Sequence, residues 1–287
     1  MKPVIRQALH WAGSGAAFIG IVFVTIRLKN YLANPALNNI SPMIWVSCGI
    51  SATLYGVANV LLALAWRHVL LQSEVKVTRQ WVIKTYGITQ LAKYVPGNFF
   101  HIAGRQGIGM AAGISAGVLV KSSICELGLI ALAGLSYGWL VLPLIVHNLS
   151  ILVPLGLLFF SLWIITSLIK RNLGAHILVC FWLQLLFLFI SGAIFAMLLS
   201  IFAKDDNFSP QTFLLLVSSY IIAWLAGFLT PGAPAGVGIR EWILLFLLKN
   251  NIAEADLIMV IVLGRAITVI GDFLFYCISC LIPKCKV

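Results

Sequence analysis

Charged residues are scarce in this 287-residue chain. Only 9% of positions are Asp, Glu, Lys or Arg, while 61% are hydrophobic. Soluble domains carry about a quarter charged residues, so a soluble domain of any size is excluded and there is room for one membrane domain. Two sequence signatures are missing too. There is no His-Glu-x-x-His and no Walker A pattern, which argues against metalloprotease chemistry and against ATP as a direct fuel. No cofactor site is legible. The six cysteines form no paired set, and no His pair has metal-ligand spacing; Cys277, Cys280 and Cys285 read as small packing residues of a terminal helix, so no metal and no disulfide framework are expected. The net charge of +11 comes from bases scattered between apolar runs rather than gathered in a stripe. That pattern fits membrane orientation and anionic headgroups, not nucleic acid.

What the chain has in abundance is spans. A crossing needs about 20 apolar residues. Such runs occur at 11–27, 43–66, 111–135, 139–168, 174–202 and 257–282. Lys2 and Arg6 precede the first, which reads as a span or an uncleaved anchor. The stretch 67–80 mixes basic and apolar residues and reads as an interfacial segment. Pro143 and Pro154 predict a tilt or kink in 139–168.

Two further apolar stretches are interrupted. Residues 211–249 contain Thr230-Pro231-Gly232-Ala233-Pro234-Ala235-Gly236-Val237-Gly238-Ile239-Arg240-Glu241, and residues 81–110 contain Pro96-Gly97 followed by Gly104-Arg105. In both, Pro-Gly stands nine residues before an arginine. Pro removes a backbone donor and Gly weakens a helix, so both stretches should break. Broken backbone at membrane depth is tolerated where protein buries it or where it lines a watery cavity.

With the N-terminus inside and both broken stretches treated as hairpins returning to their own side, ten basic residues fall on the cytoplasmic side and four outside, as the positive-inside rule asks. The expected fold is an all-α polytopic membrane protein built as an inverted repeat. One half is 1–135 with hairpin 81–110; the other is 136–287 with hairpin 211–249. The hairpins enter from opposite faces, both termini are cytoplasmic, and the membrane is the inner one. Matching breaks of this kind are the best sequence pointer to a transport site.

Eight charged residues remain in or beside apolar segments: Lys93, Arg105, Lys121, Arg240, Arg265, Glu126, Glu241 and Asp272. Each costs about 2.5–3.5 kcal/mol at a helix centre on insertion scales, so each should face another charge or water. If the three acids pair, two positive charges are left over, a surplus that suits a phosphate group. Lys93, Arg105, Lys121, Arg240 and Arg265 are the candidate substrate ligands, with His101 as a headgroup or proton ligand. Glu126, Glu241 and Asp272 would pair with the bases or exchange protons. Pro96, Gly97, Pro231, Gly232, Gly236 and Gly238 would free backbone donors at the breaks. The bland alternative is structural: Arg240 with Glu241, Lys121 with Glu126 or Arg265 with Asp272 locking helices together, Lys93 snorkelling to the interface, and His101 packed.

The run Lys93-Tyr94-x-Pro96-Gly97, then Gly104-Arg105, Glu126 and Thr230-Pro231-Gly232-x-x-x-Gly236-x-Gly238-x-Arg240-Glu241 resembles the lysylphosphatidylglycerol synthetase transmembrane-region family. That family includes the flippase portion of the multiple peptide resistance factor and stand-alone relatives in glycolipid pathways. The resemblance implies movement of a lipid across the bilayer. Cargoes in that family include lysyl-phosphatidylglycerol, and polyprenyl-phosphate-linked sugars are inferred for other members. The chain departs from the pattern at Ala233-Pro234-Ala235, and it stops at Val287 without the soluble aminoacyl-transfer domain, so no synthase activity is expected. The function expected is flipping of an anionic lipid, a polyprenyl-phosphate or polyprenyl-phosphate-linked sugar. The alternatives are a phospholipid or aminoacyl-phospholipid flippase, a membrane enzyme acting on a lipid-linked substrate, and an ion-coupled small-solute carrier. Besides the lipid and the bilayer, glycolipid-pathway enzymes and a homo-oligomeric copy are candidate partners.

Overall fold

The computed structural model describes residues 42–95, 99–146, 149–203, 209–230, 236, 238–249 and 252–283. The first expected span, 11–27, lies outside them, as do Pro96, Gly97, Pro231 and Gly232.

The described chain is helical throughout. Its helices are α1 (Pro42–Gln72), α2 (Arg79–Gln90), α3 (Phe100–Ala111), α4 (Ala116–Ser136), α5 (Leu142–Ile145), α6 (Leu152–Asn172), α7 (Ala175–Ala203), α8 (Pro210–Leu229), α9 (Ile239–Leu248) and α10 (Glu254–Leu281). Among the described residues, six stretches are long and apolar enough to cross a bilayer. The protein is an all-α polytopic membrane protein. Its outward faces carry large apolar side chains such as Phe159, Phe160 and Trp163 of α6, as a lipid-facing surface requires.

Three expectations about the spans are corrected. Residues 67–80 do not form a separate interfacial segment. α1 continues to Gln72 with Val69 and Leu70 buried against protein. The chain then turns, tied by Arg67 Nε donating to the Val77 carbonyl at 3.0 Å, and Thr78 caps α2 by accepting from Trp81 N–H at 3.2 Å. Nor is 139–168 one kinked span. Residues 137–145 continue the crossing begun by α4, and α6 starts afresh at Leu152. Pro143 and Pro154 each sit in the first turn of a helix, where the missing N–H would have had no partner in any case. They open helices instead of bending one.

Both interrupted stretches are folded back at their breaks. After α2 a single 3₁₀ turn (Leu91–Tyr94) ends in extended Val95, and α3 begins after Phe99. α3 returns along α2, since Arg105 lies over the ring of Tyr86 and a Cβ at Gly104 would meet Thr89. α8 ends in extended Thr230, and α9 returns along it, with Arg240 over the ring of Tyr220. Before α9, Gly236 (φ 70°) and Gly238 (φ 91°) both have positive φ. Their left-handed backbone excludes most other residues. A Cβ on Gly236 would also stand 2.8 Å from Cα of Gly227.

α10 is the axis of the site. Its first half packs against α9 through Arg265 and Glu241. Its second half packs against α2, where Lys84 reaches the Ile282 carbonyl, Gly87 abuts Ser279 and Gln90 reaches Asp272. The two hairpins therefore approach from opposite ends of α10 and meet near its midpoint, between Arg265 and Asp272. Seven residues separate that pair, about 10 Å along the helix. α1 crosses α10 at the same level. A Cβ at Gly271 would lie 2.7 Å from the Ala52 carbonyl oxygen and 3.0 Å from the Gly56 nitrogen. Small residues permit such backbone contact between membrane helices. Gly271→Val is expected to destabilise the protein by about 1–3 kcal/mol, the range for overpacking, because the obstruction is backbone and cannot swing aside. Thermal unfolding in detergent measures it, and an unchanged midpoint would show that the helices separate freely here.

Candidate functional site

The midpoint of α10 borders a cavity of about 120 Å³, room for several waters or one compact headgroup. Its wall has two characters. Lys93, Arg105, Arg240, Arg265, Glu126 and Asp272 line it together with His101, and so do the apolar Leu62, Leu127, Ile130, Phe187, Trp224 and Phe228.

Each acid is paired with a base from another element. Lys93 Nζ lies 2.7 Å from Asp272 Oδ2. Arg105 Nη1 lies 2.9 Å from Glu126 Oε2 and donates to Oε1 at 3.1 Å. Arg265 Nε donates to Glu241 Oε1 at 2.6 Å, and its Nη2 donates to the Gly236 carbonyl at 3.1 Å. Glu241 Oε2 also accepts from Gly238 N–H at 2.5 Å. One carboxylate thus closes the first turn of α9 and anchors it to α10. None of the sequence-adjacent or same-helix locks weighed above forms. Glu126 takes Arg105 rather than Lys121, Asp272 takes Lys93 rather than Arg265, and Glu241 takes Arg265 rather than Arg240.

Lys121 does not belong to the site. It is exposed on α4 and does not line the cavity. At 100° per residue, five positions place it about 140° around the helix from Glu126, so when Glu126 faces inward Lys121 faces out. Four bases line the cavity with Glu126 and Asp272, and the third acid, Glu241, stands beside it on Arg265. Four bases meet three acids, and the odd one is Arg240. Its guanidinium lies 4.3 Å from the centroid of the Tyr220 ring. The side chain is 7% exposed, and among the described residues no carboxylate comes within ion-pair distance.

Several site residues are invisible to a search for charge. Asp272, wholly buried, accepts from Asn59 Nδ2 (3.2 Å), Gln90 Nε2 (3.0 Å) and Tyr94 O–H (2.5 Å) besides Lys93. Glu126 accepts from Tyr86 O–H at 3.1 Å, and its backbone carbonyl accepts from Gln184 Nε2 at 3.0 Å. Arg105 lies over Trp66 as well as Tyr86, at 5.1 and 4.4 Å from the centroids. Asn59, Gln90 and Gln184 had a usable signal: an uncharged amide in an apolar span must find a partner just as a charge must. Tyr86 and Tyr220 had none, because an isolated aromatic in a span reads as packing or interfacial belt. Their placement makes the hairpins alike, since in each an arginine of the returning arm covers a tyrosine of the entering arm. His101 borders the cavity with its Nδ1 buried and unbonded. His68 and His176 lie apart from the site, with their Nδ1 atoms 3.2 Å from each other on an exposed surface. His10, His147 and Cys285 are outside the described residues.

Fold and site define an α-helical membrane protein with a charged chamber among its helices. Compared with known families, curated proteins and solved structures, the chain finds no match.

Proposed function

We propose that this protein moves an anionic lipid across the bilayer, and that a polyprenyl-phosphate or a polyprenyl-phosphate-linked sugar is the class it fits best. The observation that carries the reading is Arg240, a buried guanidinium on a cavity wall that has no carboxylate of its own among the described residues. Burying an unpaired charge is costly, and an entering phosphate would supply the missing partner. The planar fork of Arg suits phosphate oxygens. His101 and Arg240 stand in the first turns of α3 and α9, and both line the cavity. Leu62, Ile130, Trp224 and Phe228 line the same cavity and offer apolar contact to a chain. The motif resemblance to the lysylphosphatidylglycerol synthetase transmembrane-region family points the same way, and the distribution of bases favours an inner-membrane orientation with cytoplasmic termini.

The test is reconstitution of the purified protein into vesicles carrying fluorescent lipids in one leaflet. An anionic isoprenoid phosphodiester should cross faster than in protein-free vesicles, and a choline-headgroup lipid should not. Equal movement of both, or of neither, would overturn the reading.

A further inference from the structure

The three ion pairs at the chamber differ in how firmly the cation is held. Arg105 is 3% exposed and lies over two aromatic rings. Arg265 is 8% exposed and is fixed by a carboxylate and a backbone carbonyl. Lys93 is the most accessible of the three at 19%, and it sits on the single turn that ends at the first break. Its partner is the opposite case. Asp272 is wholly inaccessible and is held by Asn59 of α1, by Gln90 of α2 and by Tyr94 of the turn that carries Lys93. Asp272 therefore stays in place if Lys93 leaves.

We propose that Asp272 is a proton-coupling site. The anionic headgroup draws Lys93 off Asp272, and the Asp272 carboxylate takes one proton from the water of the chamber in its place. The proposal rests on the anionic-lipid reading above and adds its coupling ion. A lysine has one compact charge, and it cannot serve a phosphate in the chamber and Asp272 at once. Once Lys93 has turned to the phosphate, the remaining donors to Asp272 are neutral: Asn59, Gln90 and Tyr94. Tyr55 of α1, Arg265 and Arg240 line the same cavity, and Arg265 is ion-paired to Glu241. A buried carboxylate without a counter-charge neutralises itself by protonation. When the headgroup departs, Lys93 returns and the proton is released. Anion and proton then travel together, so a proton gradient can drive the lipid.

The experiment is calorimetric titration of the detergent-solubilised protein with a farnesyl-phosphoryl-glucose diester, whose phosphate does not titrate near neutral pH. Repeating it in buffers of different ionisation heat counts the protons taken up. Wild type is expected to take up about one proton per probe, with affinity falling about tenfold per pH unit over the range where uptake is complete. Asp272→Asn should bind without uptake. Lys93→Met should also bind without uptake, because no lysine is then displaced from Asp272, and this second variant decides the matter if the first does not fold. Binding by wild type with no proton movement would overturn the coupling while leaving the lipid reading intact, as would wild-type uptake in either variant. Absence of binding would overturn the lipid reading and the coupling with it.

Discussion

Arg240→Ala is expected to lose about 10- to 150-fold in transport of the anionic lipid while folding as well as wild type. The range corresponds to one charged hydrogen bond of about 1.5–3 kcal/mol, at about 1.4 kcal/mol per decade. Folding should survive because Arg240 has no carboxylate partner among the described residues. Removing it strands no opposite charge and forfeits only its position over the Tyr220 ring. Arg240→Lys should fall between the two, since a lysine keeps the charge but not the fork. Transport rates in vesicles and thermal unfolding in detergent, measured on the same preparations, separate the two effects. Undiminished transport by Arg240→Ala would end the phosphate role of this residue.

Glu126→Leu should behave in the opposite manner and fail first in stability, by about 3–5 kcal/mol. Arg105 is 3% exposed, and without Glu126 its charge stays buried with no carboxylate beside it. Tyr86 loses its acceptor at the same time. The double variant Arg105→Met with Glu126→Leu is expected to recover most of the loss, because an apolar pair of similar volume often replaces a buried ion pair at little cost. Denaturation of the two single variants and the double variant gives the coupling directly. A Glu126→Leu protein as stable as wild type would mean that water in the chamber, not Glu126, solvates Arg105. The contrast follows from one structural difference between otherwise similar hairpins: both arginines cover a tyrosine, but only the first has an acid from a neighbouring helix.

Composition alone announces a membrane protein, and Pro-Gly followed nine residues later by Arg marks both places where the helices stop. These features are local. An apolar run long enough to cross will insert, and a helix that meets Pro and Gly will break wherever it is. The boundaries misread, at 67–80 and 139–168, are those where local chemistry has two outcomes. A mixed segment can lie on lipid or against protein, and a proline can kink a helix or begin one.

Which charge meets which was a matter for the assembled helices alone. Arg105 and Glu126 are 21 residues apart, and Lys93 and Asp272 are 179 apart. Such pairs exist only because α1 and α2 pack on α10 and the two hairpins converge at its middle. The exclusion of Lys121 and the isolation of Arg240 have the same origin. A buried charge is forced by its desolvation to have company, but no rule of spacing names a companion on another helix. The inventory of charges follows from the order of residues, whereas their pairing follows from the crossing of backbones at Gly56 and Gly271, where only hydrogen fits.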